Sequence, residues 1–487
     1  MKSNIQLSLV LGLVLIISGC QEESPFYNSR YDAALGEMEG SYHEKYKGEP
    51  ENPFMEVTED PVSTFSVDAD GGSYANTRRF LHFGQKPPKE SVRIEEYINY
   101  FTFDYPQPGM GENVSLNSEI ATCPWNQDHH LMRLGMKGMT IADEDLPLAN
   151  FVFLIDVSGS MDSPEKLGIL KSGFKMMTDN LRDQDRVAIV TYAGSAEVLL
   201  ESTYGDNTRK IKNAIDKLGA GGSTAGAEGI ITAYEIAEDH LIPGGNNRVI
   251  LGSDGDFNVG PSSVEELIEL IEEKRESGIY LTVLGVGTGN LNDHMMEQIA
   301  NKGNGTYEYI DNADQLKKVF VYERSKFYSV ATDSKIQVTF NENMVEKYRL
   351  IGYENRRLDS TDFEKDSTDA GEIGAGQSIT AVYELILTDQ TSAEKYAQFD
   401  FRYKKPDTDE SRLLQHEVVA GPVAISSASE SMRFVAAVTG FGLITRESEY
   451  KGNVDKQLVL DLANGARSFD PGGWRAEFVE LVEDADL

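Results

Sequence analysis

Asp156, Ser158 and Ser160 stand at alternate positions in Asp156-Val157-Ser158-Gly159-Ser160. A bending loop can turn one carboxylate and two hydroxyls in this D-x-S-x-S spacing toward a common centre. All three are hard oxygen donors, a set that suits Mg2+, with Mn2+ or Ca2+ as alternates, and not Zn2+ or copper. Taken alone, the same spacing also fits the start of a helix, because Asp and Ser are favoured as N-caps. Two more loops offer donors of the same kind. Gly221-Gly222-Ser223-Thr224 contributes the Thr224 hydroxyl, and Ser253-Asp254-Gly255-Asp256 contributes the Asp254 carboxylate. Asp256 fits three roles: a direct ligand, a support for the loop, or a solvated side chain.

The elements around these loops place them at one edge of a sheet. Phe151 to Ile155, Val187 to Val190, Val249 to Leu251 and Leu281 to Val286 are continuous apolar runs, the pattern of strands buried on both faces of a parallel sheet. Helical patterns at 165–181, 208–217, 225–239, 263–276 and 292–300 lie between or after them. The expected fold is a doubly wound α/β domain with a mainly parallel sheet, in which ligands gather beyond the carboxyl ends of the strands. Asp156 follows such an end directly, and Val249 to Leu251 leads into Ser253-Asp254.

Strand and helix patterns flank this domain. Strands are expected near 64–68, 115–122 and 130–137, and later near 335–341, 347–353, 378–387, 397–403 and 413–419, with an acidic loop at 359–369. Helices are expected at 73–83 and 91–102, and at 428–444, 454–464 and 473–483 near the end. Two or three early strands bury too little apolar surface to stand alone. They are expected to join the later ones in a β-rich, sandwich-like platform into which the α/β domain is inserted.

Together these motifs resemble the metal-ion-dependent adhesion site of von Willebrand factor A domains. The resemblance implies a metal site of Asp156, Ser158, Ser160, Thr224 and Asp254, with the hydroxyls coordinating directly or through water. It also implies that one coordination position is left for an Asp or Glu of a partner protein. Ser63 to Asp68, Arg93 to Phe101 and Cys123 to Asn126 look like the N-terminal module of a bacterial family of A-domain proteins. Tyr348 to Arg356 and Asp369 to Gly376 look like that family's C-terminal domain of unknown function. The implied layout is an N-terminal module at 56–148, the A domain at 149–322 and a β-rich plus helical C-terminal domain at 323–487.

The first residues read as a targeting segment. Met1-Lys2 is basic, Ile5 to Ile17 is mostly apolar and too short to span a bilayer comfortably, and Ile17-Ser18-Gly19-Cys20 resembles a bacterial lipobox. Residues 1–19 are expected to be cleaved and Cys20 to be lipidated, followed by a flexible tether over 20–55; residues 21–53 hold eight acidic and three basic residues. Residue 21 is Gln and not Asp, which by resemblance to lipoproteins of two-membrane bacteria points to the outer membrane. The expected place is therefore the cell envelope, anchored by lipid.

Composition excludes several function classes. The formal charge of −35 over 487 residues argues against nucleic acid, whose phosphates need clustered Lys and Arg. Only two cysteines occur, so Cys123 has no intramolecular disulfide partner if Cys20 carries lipid, and it reads as a small buried apolar residue. None of the seven histidines forms an H-E-x-x-H pair, and Gly219 to Thr224 lacks the lysine of a phosphate-binding loop. Gly285-Val286-Gly287-Thr288-Gly289 misses the dinucleotide spacing. Asp68-Ala69-Asp70-Gly71-Gly72-Ser73 fails as a calcium loop, having Arg79 at the twelfth position, and is read as a turn that caps the next helix. No enzyme is expected. The favoured expectation is metal-dependent protein binding, with an envelope scaffold or a metal-dependent hydrolase as alternatives.

Overall fold

In the computed structural model, residues 44–222, 226–255, 264–275, 277–390, 394–406, 408 and 410–487 are described. Cys20, Thr224 and Asp256 lie outside them. Strands β1 (Met55–Glu56) and β2 (Val62–Ser66) lead into helices α1 (Gly72–His82) and α2 (Ile94–Asn99), then strands β3 (Val114–Thr122) and β4 (His130–Gly138). The α/β domain follows: β5 (Ala149–Asp156), α3 (Ile169–Asp179), β6 (Arg186–Tyr192), β7 (Ala196–Tyr204), α4 (Thr208–Lys217), α5 (Gly226–Asp239), β8 (Asn246–Ser253), α6 (Val264–Arg275), β9 (Ile279–Val286), α7 (Asp293–Lys302), β10 (Tyr307–Ile310) and the short α8 (Ala313–Lys317). After it come β11 (Ser329–Phe340), β12 (Val345–Ile351), β13 (Gly371–Gly374), β14 (Ser378–Leu387), β15 (Ala397–Lys404), β16 (Ser411–Val418), α9 (Glu430–Thr445), α10 (Lys456–Asn464) and α11 (Trp474–Asp484).

The inserted sheet has the order β10-β9-β8-β5-β6-β7, parallel except for the β6–β7 pair. Its apolar runs divide by the strand period of two. Val152 and Leu154 face one core with Ile230, Ala233 and Tyr234 of α5, while Phe151, Phe153 and Ile155 face the other with Leu170 and Phe174 of α3. This explains why the sequence of β5 has no polar alternation. Full burial of each such side chain stabilises by about 1.5–3 kcal/mol. The chain leaves β5 for β6 on one side and later returns to β8 on the other, so the sheet reverses direction at β5 and β8.

The flanking strands form two more sheets, β1-β12-β14-β4-β3 and β13-β11-β15-β16, with β2 pairing β11. Each combines strands from before and after the α/β domain, which is therefore an insertion in a β sandwich. Phe65, Ile336, Val338, Phe399 and Phe401 of one sheet meet Met132, Leu134, Ile379, Tyr383 and Leu385 of the other in a shared core. The outer face of the first sheet packs through Leu131, Ile351 and Val382 against α2 and the three C-terminal helices. Helix α9 is apolar nearly all round and is buried accordingly, with Phe434, Val435, Ala436, Ala437, Val438 and Phe441 all inside. Cys123 is buried in that core, and burial pushes its thiol up to about 12, far from nucleophilic range.

Two expectations require correction. The tether assigned to 20–55 ends early: Glu44 accepts from both Arg79 Nη atoms at 2.9 Å, and Asn52 is buried against the carbonyls of Leu350 and Gly352. A polar, aperiodic stretch can still be fixed where side-chain bonds supply what apolar packing does not. The Asp68–Ser73 turn does not cap α1 with a side chain, because Gly71 occupies the cap position. The Ser73 amide donates instead to Glu96 Oε2, at 2.7 Å. No helix among the described residues is long and apolar enough to cross a membrane.

Candidate metal centre

β5 delivers Asp156 to the edge of the sheet at the point where the strand order reverses, the place where open α/β sheets form ligand sites. There the backbone turns sharply. Asp156 Oδ1 accepts the Ser158 amide at 2.8 Å, which folds the loop back and brings Ser158 Oγ to 3.0 Å from Ser160 Oγ. Asp156 Oδ2 accepts the Ser253 hydroxyl at 3.1 Å, and Ser253 Oγ accepts the Gly255 amide at 3.0 Å. The ends of β5 and β8 are thus tied together through Ser253, with Asp254 the next residue. Gly255 is required by its backbone: φ is +83°, and a Cβ there would lie 2.5 Å from the Asn292 nitrogen.

The third loop approaches the same place. The Gly221 amide donates to Val157 O at 2.7 Å, and the Gly159 amide donates to Gly222 O at 3.1 Å. These bonds fasten the Gly221-Gly222 stem to the D-x-S-x-S turn. Asp156, Ser158, Ser160 and Asp254 are therefore neighbours in the structure, and Thr224 follows a stem anchored beside them.

Asp156 and Asp254 are both fully buried, whereas Ser160 is exposed. Burial raises the Asp156 carboxyl; hydrogen bonds from Ser158 and Ser253 oppose the rise, and the neighbouring Asp254 charge adds to it. Tyr192, at the end of β6, lies in the same buried group, and burial beside Asp156 holds its phenol well above its ordinary value. Lys166 brings a positive charge to the two carboxylates. Lys166 Nζ lies 2.8 Å from Asp254 Oδ2 and 3.0 Å from Asn290 Oδ1, while Asn290 Nδ2 donates to Asp254 Oδ2 at 3.0 Å. The donors fit a hard divalent cation: two carboxylates and two hydroxyls, an excess of buried negative charge, and one hydroxyl facing solvent.

Reading the sequence did not single out Lys166, Asn290 or Ser253 as parts of this group. Ser253 adjoins Asp254 and its polarity at the end of a buried strand was a usable signal. Lys166 and Asn290 carried none, because each meets Asp254 only through folding. The Gly285–Gly289 stretch, which has no dinucleotide spacing, has a different use here. Gly287 has φ +76°, and a Cβ would lie 2.3 Å from Lys166 Cε, so the glycine leaves the path that the lysine takes to Asp254.

Residues 150–321 match the family model of the von Willebrand factor type A domain, and residues 41–133 match one described as von Willebrand factor. Residues 325–487 match the model for the C-terminal part of uncharacterized protein YfbK. The YfbK protein of Escherichia coli (strain K12) is 39% identical over 501 residues, a match that covers 96% of this chain and 86% of that protein. A UPF0353 protein of Mycolicibacterium gilvum (strain PYR-GCK) is 28% identical over 241 residues, covering 42% of this chain and 71% of the relative. Among solved structures, a von Willebrand factor type A protein from Catenulispora acidiphila aligns with a TM-score of 0.44 and 16% identity, covering 77% of this chain and 91% of that one. With a relative this similar along nearly its whole length, the chain belongs to the YfbK family of bacterial proteins and carries a von Willebrand factor type A domain ahead of a YfbK-type C-terminal region.

Proposed function

We propose that this chain is a lipid-anchored protein of the bacterial cell envelope that binds a partner protein through a divalent metal, Mg2+ before Mn2+ or Ca2+. Asp156, Ser158, Ser160, Thr224 and Asp254 would hold the ion. The observation that carries this reading is the hydrogen-bonded Asp156–Ser158–Ser160 turn beside Asp254, with Ser160 facing solvent. A bound Mg2+ would supply a hard Lewis-acidic centre able to take a carboxylate from an Asp or Glu of the partner. The chain's own residues do the rest. Ser253 fixes the orientation of Asp156, and the buried position of Asp254 keeps its charge unscreened. Lys166 and Asn290 both hold Asp254 by its Oδ2.

Lipidation at Cys20 would tether the chain to the membrane, with the outer membrane favoured by Gln21, and residues 56–148 would serve as the N-terminal module that accompanies the A domain. A Cys20→Ala chain should be recovered in the soluble fraction, where the wild-type chain is recovered with membranes. The binding itself is tested by capture from solubilised native envelope. The wild-type chain in Mg2+ should retain a partner that is released by chelator and not captured by the Asp156→Ala chain. Retention of the same partner after both treatments would remove the metal from the reading.

A further inference from the structure

Lys166 Nζ and Asn290 Nδ2 share Oδ2 of Asp254, and Asn290 Oδ1 accepts Lys166 Nζ at 3.0 Å, so the asparagine orients the lysine on the carboxylate. Asn290 belongs to the loop between β9 and α7, residues 287–292, which runs hard against Gly255. From its other side this loop is gripped by the first described residues of the chain. Glu44 Oε1 accepts the Gly289 amide at 2.7 Å, one residue before Asn290. The Lys45 amide donates to Leu291 O at 2.8 Å, one residue after it, and Lys45 pairs with Asn292 as a parallel bridge. At the start of the loop the Tyr309 hydroxyl donates to Gly287 O at 2.7 Å.

The grip on the loop depends on Glu44. Both Nη atoms of Arg79, on α1, donate to its carboxylate at 2.9 Å, a fork geometry that fixes orientation as well as position. The Glu44 and Arg79 side chains are 1% and 6% exposed. Glu44 Oε2 also accepts the Tyr46 hydroxyl at 2.7 Å, and that hydroxyl accepts Asn76 Nδ2 at 2.9 Å. Tyr46 is partly buried against the core on the α5 side of the sheet, and Lys45 between them is exposed. Residues 44–46 therefore form a surface strap held by one ion pair, one tyrosine and main-chain bonds. A strap of this kind can lift without opening the core beneath it.

We infer that residues 44–46 are an autoinhibitory strap, which holds Asn290, and through it the Lys166 ammonium, on Asp254 and so opposes a divalent ion at the Asp156 group. The inference rests on that group being the metal centre proposed above. An ammonium and a divalent cation repel each other and compete for the same carboxylate, so whatever steadies the lysine there weakens the ion. Glu44 is a positioning residue: it bonds Gly289 and Arg79 and acts on Asp254 only through the loop. The coupling is reciprocal by linkage, so an ion that displaces Lys166 must loosen the strap by as much as the strap weakens the ion.

Mn2+ is titrated into the full chain as wild type, Asp156→Ala, Glu44→Ala, Lys166→Met and the Glu44→Ala, Lys166→Met double variant, with far-UV circular dichroism to report folding. Glu44→Ala should tighten Mn2+ binding roughly fivefold, short of the gain from Lys166→Met. In the Lys166→Met background the same substitution should leave the affinity unchanged, because the cation that the strap positions is gone. A purely structural Glu44 would lower the melting temperature and leave the affinity unmoved in both backgrounds. Saturating Mg2+ should also speed hydrogen exchange at the Gly289 and Lys45 amides of the wild-type chain, a readout that needs no substitution in the strap. If Asp156→Ala loses Mn2+ binding but folded Glu44→Ala binds as wild type does, or if Mg2+ leaves that exchange unchanged, the strap is overturned and the metal centre stands. Mn2+ binding that folded Asp156→Ala retains in full overturns both.

Discussion

The carboxylates around Asp156 and those around Asp68 are made of the same chemistry and sit in opposite settings. Asp156 ends β5 and Asp254 follows the adjacent β8, with the exposed Ser160 beside them and Lys166 as a countercharge. Asp68, Asp70 and Glu96 are enclosed where three parts of the chain meet, and planar guanidiniums from Arg93 and Arg356 bridge them to α7. Lys166 is a flexible point charge that can be displaced, whereas Arg356 bonds Asp68, Asn301 and, at longer range, Asp70 and Glu297. Both sets of carboxylates are buried, so the difference lies in what stands beside them: an exposed serine and a lysine at the Asp156 group, two guanidiniums shared with α7 at the Asp68 group.

Replacing Arg356 should break this contrast most severely. Arg356→Met leaves Asp68 and Asp70 without their cation in a closed setting and should cost about 3–5 kcal/mol in denaturant unfolding. A loss under about 1 kcal/mol would mean that the junction is as open as the sheet edge. Gly287→Ala comes next. The left-handed backbone and the clash with Lys166 should destabilise the chain by roughly 1–3 kcal/mol while releasing Lys166 from Asp254. Lys166→Met should change stability little and should tighten Mg2+ binding roughly tenfold, measured by calorimetry, because it removes a competing cation from Asp254. Unchanged or weaker Mg2+ binding would show that the lysine does not oppose the ion.

Glu372 sharpens the comparison as a buried carboxylate that belongs to neither group. Burial pushes its carboxyl well above the ordinary range; the Asp333 charge adds to the rise, and Arg248 opposes it. The sign follows from linkage: stability from the protonated form is fully present below the unfolded carboxylate value and is lost as pH rises through the raised folded value. Melting temperature between acidic and alkaline pH should therefore fall more steeply in the wild-type chain than in Glu372→Gln. Parallel curves would show that Glu372 is not protonated in the folded state.

Much of the inserted fold was legible because its central strands are buried on both faces. The apolar runs of β5, β6, β8 and β9 lie inside the observed strands, and β14 spans the expected 378–387. Strands β7 and β10 were not legible. β7 is an edge strand with mixed polarity, and β10 has only Tyr307 to Ile310, too few residues for a period to register. β11 begins at Ser329, ahead of the expected 335, because Thr332-Asp333-Ser334 breaks the alternation where the register shifts. In the candidate metal centre, the adjacency of D-x-S-x-S and Asp254 was legible from residue type and position after a strand. The lysine and asparagine on Asp254 were not, because they meet it across separations of 88 and 36 residues. The Asp68–Asp70 turn was legible as a turn, but its closeness to Glu96 depends on how α2 packs.

The most direct test of the Asp156 group as a metal centre is a Mn2+ titration followed by electron paramagnetic resonance, comparing the wild-type chain with Asp156→Ala. The account predicts that the wild-type chain binds one more Mn2+ than the variant and that the variant remains folded. Superimposable binding curves from two folded chains would contradict it.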